Sequence, residues 1–366
     1  MACLTGFVTK KMDPRIIFNF LFGLVGGTLA YFAGMPLPFL LGGFLGCASF
    51  VLYYERDGRH LPPLSRWVRM VFMAVIGTMI GSRFSPDLLI LMPHFWLSVV
   101  AVIGFIFIAH AGNYLIFRKA GNYSKLDAYF AGLPGGIVDS IALAEQAGAD
   151  VRIVTIQHFI RIILVVVTVP MLFWLISGNM VGSMAGETLT ADDWDWSDVG
   201  VIIIIAMIGL FGGRRLKLPV AHLMAPLILA LMLSVSGVVA IDIPPWVQHL
   251  AQYMIGISLG SQFSGISRSL LVRGLNMGLV SGLFMLILAV GFALVLTAFV
   301  PASFEVMFIS FAAGGLAEMS LIALSLNFNP IVVALHHLVR IFFTIWIGNY
   351  LSKSVFKLVP KSGDVK

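Results

Sequence analysis

Apolar residues run in long blocks along this chain, and the charged residues are pushed into the short gaps between them. The blocks fall at residues 15–34, 35–54, 66–82, 92–117, 128–147, 152–177, 196–212, 218–241, 246–266, 275–299, 306–326 and 328–351. Most approach the ~20 residues that an α-helix needs to cross the hydrocarbon core of a bilayer. The pattern predicts an all-α polytopic membrane protein. Two of the blocks are interrupted. Residues 131–140 read Ala-Gly-Leu-Pro-Gly-Gly-Ile-Val-Asp-Ser and residues 310–319 read Ser-Phe-Ala-Ala-Gly-Gly-Leu-Ala-Glu-Met. Proline removes a backbone donor and glycine is a poor helix former, so these are the places for a helix to break. A broken segment can enter the bilayer and return to the same side if its freed backbone groups face protein or a watery cavity.

The two interrupted blocks are copies within a longer duplication. At one constant offset, Trp67-Val68 matches Trp246-Val247, and Gly77, Gly81, Ser82, Phe84 and Ser85 match Gly256, Gly260, Ser261, Phe263 and Ser264. The same offset carries Gly135-Gly136 onto Gly314-Gly315, Asp139 onto Glu318, and the His158-x-x-Arg161 sequence onto His337-x-x-Arg340. Upstream the match is looser, though Met35-Pro36 resembles Leu218-Pro219.

Charge turns the segments into a topology. The chain has 366 residues, 59% apolar and only 11% charged, with a mean hydropathy of +0.99, where soluble proteins carry about 25% charged residues. Lys and Arg in short loops favour the cytoplasm. If all twelve blocks cross from an inside N-terminus, Arg83, Arg152, Arg214, Arg215, Lys217, Arg268 and Arg273 fall outside. If 128–147 and 306–326 are re-entrant or broken, ten blocks cross, and of the 23 Lys and Arg only Arg83 remains outside. The second arrangement is expected. Each half then has five crossings plus one Gly-Gly segment, and the odd number makes the halves inverted repeats. The divisions are a first repeat over 1–177, an acidic external linker over 178–198, a second repeat over 199–352 and a basic cytoplasmic tail over 353–366. Both termini are expected in the cytoplasm of a bacterium, with the protein multi-pass in its inner membrane. Lys10, Lys11 and Arg15 before an apolar run have a signal-peptide flavour, but the apolar pattern continues, so the segment reads as a retained first anchor.

The candidate chemistry lies in the copied residues. A carboxylate within a membrane segment costs at least ~2.5–3.5 kcal/mol on insertion scales, so Asp139 and Glu318 are expected to pair, titrate or line a path; capping the helix after the break is the structural alternative. Arg161 and Arg340 face the same cost. They either form structural ion pairs with the acid of their own repeat, or bind a substrate anion and release the acids. His158 and His337 accompany them. Gly135, Gly136, Gly314 and Gly315 shape the breaks, whereas the Gly-x-x-x-Gly pairs at Gly77/Gly81 and Gly256/Gly260 read as packing points. No catalytic residue, metal site or cofactor is indicated. His-Glu-x-x-His is absent, Cys3 and Cys47 form no ligand pair, and neither an ATP-binding loop nor a nucleic-acid-binding module is present.

Gly-Gly-x-x-acid, followed by Ala147-Gly-Ala-Asp150-Val-Arg152 and a helix with His-x-x-Arg, resembles the AbrB-type bacterial membrane protein family. The resemblance implies a duplication along nearly the whole length. Family members often have Pro-Gly-Gly in both copies, whereas the second here is Ala313-Gly-Gly, and Asn327-Phe-Asn-Pro-Ile331 replaces the stretch with Asp150. The family is often labelled an ammonia monooxygenase or tied to regulation of gene expression. From the residues, the expected function is ion-coupled secondary transport of a small anionic or zwitterionic solute, with H+ or Na+ as the coupling ion and the lipid bilayer and a homo-oligomer as partners. The alternatives are a sensor or scaffold affecting expression indirectly, and a membrane-embedded monooxygenase, which the missing ligand set disfavours.

Overall fold

The computed structural model describes residues 14–35, 37–62, 64–82, 92–177, 194–213, 215, 220–266, 268–326, 328 and 330–356. Arg83, most of the acidic linker and the tail beyond Phe356 lie outside them. Every regular element among the described residues is helical. The first half gives α1 (Ile16–Phe32), α2 (Pro38–Tyr54), α3 (Arg66–Ser82), α4 (Trp96–Lys119), α5 (Lys125–Ala131), α6 (Ile137–Ala147) and α7 (Val151–Ser177). The second gives α8 (Trp196–Gly213), α9 (Ala221–Val235), α10 (Pro245–Ser261), α11 (Arg268–Leu296), α12 (Phe304–Phe311), α13 (Leu316–Ser325) and α14 (Pro330–Phe356). Among the described residues six spans are long and apolar enough to cross a membrane, from Pro38–Asp57 to Pro330–Gly348, and shorter apolar helices accompany them. This is the make-up of a multi-pass membrane protein.

The duplication recurs in the elements. The starts of α10, α12, α13 and α14 (Pro245, Phe304, Leu316 and Pro330) follow those of α3, α5, α6 and α7 (Arg66, Lys125, Ile137 and Val151) at the offset that relates Trp67 to Trp246. Both α2 and α9 start from a left-handed residue, Leu37 at φ 47° and Val220 at φ 47°, a conformation that costs an L-residue about 1–2 kcal/mol. The shared strain at matching helix starts is what a duplicated backbone would carry.

The halves are interlocked through their third helices. α3 packs on α9, and α10 packs on α2. The Gly-x-x-x-Gly pairs make this approach possible: a Cβ on Gly77 or Gly81 would land on the carbonyl of Leu223 or Leu227, and one on Gly256 would land on that of Leu40. One continuous apolar core runs through both halves.

Two local contacts place the interrupted segments. Ser124 caps α5, and the Asp127 carboxylate on its first turn accepts the backbone N–H of Asp150 at 2.7 Å, just before α7. The start of α5 and the end of α6 therefore lie side by side at the beginning of α7. In the second half, Phe308 of α12 and Phe328 before α14 both pack on Phe173, with ring centroids 5.9 and 6.0 Å away, near the end of α7.

Candidate functional site

Each Gly-Gly segment is a helix, a short break (132–136 or 312–315) and a second helix. The residue before α6 is Gly136 (φ −66°, ψ 139°) and the one before α13 is Gly315 (φ −75°, ψ 150°). Those angles are open to any residue, so backbone freedom does not require glycine at Gly136 or Gly315, and what surrounds the other break glycines is close packing. A Cβ on Gly135 would sit 2.6 Å from Thr344 Cγ2, one on Gly314 would sit 2.7 Å from Met319 Cε, and one on Gly315 would overlap the carboxylate of Glu318.

A helix that stops in an apolar interior leaves carbonyls without partners. Arg161 supplies them in the first half: Nη1 donates to Leu133 O at 2.7 Å and Nη2 to Gly135 O at 2.9 Å. Arg340 does the same in the second half, to Ala312 O at 2.9 Å and Gly314 O at 2.7 Å. The four acceptors correspond residue for residue under the repeat offset. The planar guanidinium fork suits this task because it presents two parallel donors from one charge. Both arginines are 3% exposed. The first segment packs on α14 of the second half: Tyr129 donates to Gly348 O at 3.2 Å, and a Cβ on Gly135 would meet Thr344, one turn beyond Arg340. Each break thus combines a buried positive charge with the positive N-terminal end of a short helix, α6 in the first half and α13 in the second.

The structural alternative for the arginines, an ion pair with the acid of the same repeat, is not formed between Arg340 and Glu318. The arginine fork is taken up by the break carbonyls. Glu318, on the first turn of α13, folds back over Gly315, and its Oε1 lies 3.6 Å from Nη2 of Arg69 on α3. Asp139 holds the same place on α6, but its side chain lies outside the described residues. Arg161 likewise has no carboxylate within ion-pair distance among the described residues.

The histidines break the symmetry. Nδ1 of His337 accepts from Arg340 Nη2 at 2.7 Å, which leaves its Nε2–H to donate to Ile309 O at 3.1 Å. His158, fully buried at the matching position, has no partner for either nitrogen among the described residues. The Nε atoms of both arginines, Ser320 Oγ and Thr344 Oγ1 are also buried and have no partner among the described residues. Of the groups set out from the sequence, the structure joins Arg161 to Gly135 at the first break, and Arg340 to Gly314 and His337 at the second, with Glu318 folded over Gly315. Among the described residues no three His, Cys, Asp or Glu side chains converge as a metal site.

Sequence reasoning missed Arg69 and Thr344. Arg69 reads as one more basic residue at the start of a cytoplasmic-side segment, although its offset partner Gln248 is itself a polar residue in an apolar block. Thr344 had no signal, because its counterpart is Val165. Another buried polar set, Asn113 with Ser281 at 2.7 Å and Gly132 O at 3.4 Å, ties α4 and α11 to the first break.

No solved structure matches this chain. It is 26% identical over 306 residues to the protein YhjN of Bacillus subtilis (strain 168), covering 76% of each chain. It is 23% identical over 335 residues to a protein of Escherichia coli (strain K12) named as a regulator, AbrB, covering 89% of this chain and 92% of that one. A family model described as "Transition state regulatory protein AbrB" matches residues 39–356, a range that holds both Gly-Gly segments and both buried arginines, and the chain therefore belongs to the AbrB family.

Proposed function

We propose that this protein is a secondary transporter of a small anionic or zwitterionic solute, driven by an H+ or Na+ gradient, in a bacterial inner membrane. The observation that carries the reading is the matched pair of helix breaks, each held open by a buried arginine on its own carbonyls, with the first break packed on the helix that carries Arg340. Transporters built from inverted repeats place broken helices of this kind around an anion at the midplane, with the helix N-termini facing it. Unpaired positive charge in an apolar interior is costly, and an anion offsets that cost. Arg161 and Arg340 set the positive centre in this reading, and Asp139 and Glu318 are the groups that bind solute or coupling ion.

The reading takes the halves as inverted repeats of five crossings each, with the Gly-Gly segments re-entrant from opposite sides. The Asp127–Asp150 bond at the beginning of α7 supports a first segment that returns to its side of entry. The packing of Phe308 and Phe328 on Phe173, at the other end of α7, supports a second segment that opens on the opposite side. The basic-residue count favours the same arrangement.

The name of the Escherichia coli relative favours a second reading, a sensor that binds the solute without moving it. A thermal-shift screen of metabolites on purified protein followed by flux in proteoliposomes separates the two. Saturable, ion-dependent uptake of a stabilising solute is expected, and Asp139→Asn or Glu318→Gln, each of which removes a charge, should abolish coupled uptake. A solute that stabilises the protein but is never transported would favour the sensor.

A further inference from the structure

The two acids of the duplication are not equivalent. The Glu318 side chain is 3% exposed, and Arg69 is the one cation within ion-pair distance among the described residues. Arg69 comes from the first half, on the helix that crosses over to pack on α9 and α10. The repeat offset puts Gln248 at the corresponding place on α10, and its amide donates instead to Ser325 Oγ at 2.9 Å, with Gln252 beside it at 3.2 Å. The duplication has thus kept an acid in both Gly-Gly segments but an arginine at only one of the two corresponding positions on α3 and α10. Among the described residues no other cation on the elements packed against α13 lies within ion-pair distance of Glu318, the buried His158 on α7 included. Arg340 and His337 on α14 hold the break and each other, His336 bonds Val332 O, Arg161 on α7 holds the first break, and Glu305 lies at the start of α12.

We propose that Arg69 is a built-in counter-cation for Glu318, so that the second Gly-Gly segment carries its own positive charge and takes no proton or sodium ion from solution. A buried carboxylate must be neutralised, and a proton, a metal cation or a guanidinium can each do it. The guanidinium on α3 is tethered and 27% exposed, so it stays hydrated on one side while it covers the acid. The separation of 3.6 Å, without a hydrogen bond, is that of a charge partner rather than a clamp. On the transport reading, on which this consequence rests, ion coupling then belongs to the first segment, and Glu318 serves the solute or the closure of the site.

The test uses full-length purified protein in detergent and needs no solute, so its outcome is independent of whether flux is found. Melting is followed at about pH 8 and about pH 5.5 and with sodium or choline as the salt cation. With Arg69→Gln the stranded carboxylate takes up a proton or sodium ion, so this variant should gain about 3 °C or more beyond any wild-type response on acidification or on adding sodium. Arg69→Lys, which keeps the charge, and Arg69→Gln combined with Glu318→Gln, which removes the acid, should respond as wild type does. An Arg69→Gln protein with the wild-type response overturns the proposal. If Arg69→Gln alone gives no folded protein, recovery in the double variant supports the proposal, and failure to recover overturns it.

Discussion

A single guanidinium does in each half what two or three capping groups do at an ordinary helix end. Arg161 and Arg340 each bridge two carbonyls of a break, and Arg340 leaves the acid of its own repeat to Arg69. Removing one strands two buried carbonyls at about 1–3 kcal/mol each, so Arg340→Ala should lower the melting temperature sharply. Arg340→Lys keeps the charge but is a point donor that cannot span both acceptors, and should recover only part of the loss. Adding Glu318→Gln to Arg340→Ala should bring no relief, because the two side chains are not partners, whereas the same substitution should relieve Arg69→Gln. Equal relief of both would mean that the acid is shared between the two arginines. The repetition made both arginines visible in the sequence, but their partners were not. A carboxylate on the first turn of a helix folds back on that helix, and carbonyls freed by a break have no signature of their own in residue types.

Helix boundaries were largely legible because apolar length and helix length coincide where a chain crosses lipid. The blocks at 66–82 and 196–212 became α3 and α8 with almost no change. The block at 218–241 shortened to Ala221–Val235, since Gly237 at φ 70° turns the chain while the residues beyond it are still apolar. The interrupted blocks broke where Gly-Gly predicted, and at Gly135 the break leaves no room for a side chain beside Thr344. Glycines inside the helices divide the same way, and this can be measured. Gly77→Ala and Gly256→Ala should each destabilise the fold by about 1–3 kcal/mol, because the new methyl meets a backbone carbonyl of a neighbouring helix. Gly104→Ala on α4, which meets nothing within 4 Å, should be neutral or stabilising by about 0.5–1 kcal/mol. Thermal melting of the three variants side by side checks the assignment, and equal losses at Gly77 and Gly104 would contradict it.

The interlocking of the two halves was not visible in the sequence. A constant offset from Trp67/Trp246 to Arg161/Arg340 says that two halves share a fold, but not that α3 and α10 are exchanged between them or that the first break packs on α14 of the second half. Both facts follow from surfaces that only form in three dimensions: the glycine faces of α3 and α10 fit α9 and α2 because those helices offer carbonyls at the right spacing. The exchange makes the molecule one body around the two breaks, which is what a solute path between inverted halves requires. Side-specific labelling of single cysteines tests this most directly. In a protein with Cys3→Ala and Cys47→Ala, cysteines placed at Lys125 and Ala149, flanking the first Gly-Gly segment, should both react with an impermeant reagent from the cytoplasmic side. Cysteines at Ser303 and Phe328, flanking the second, should both react from the outside. Labelling of Lys125 and Ala149 from opposite sides, or of all four from the same side, would contradict two re-entrant segments that meet from opposite faces of the membrane.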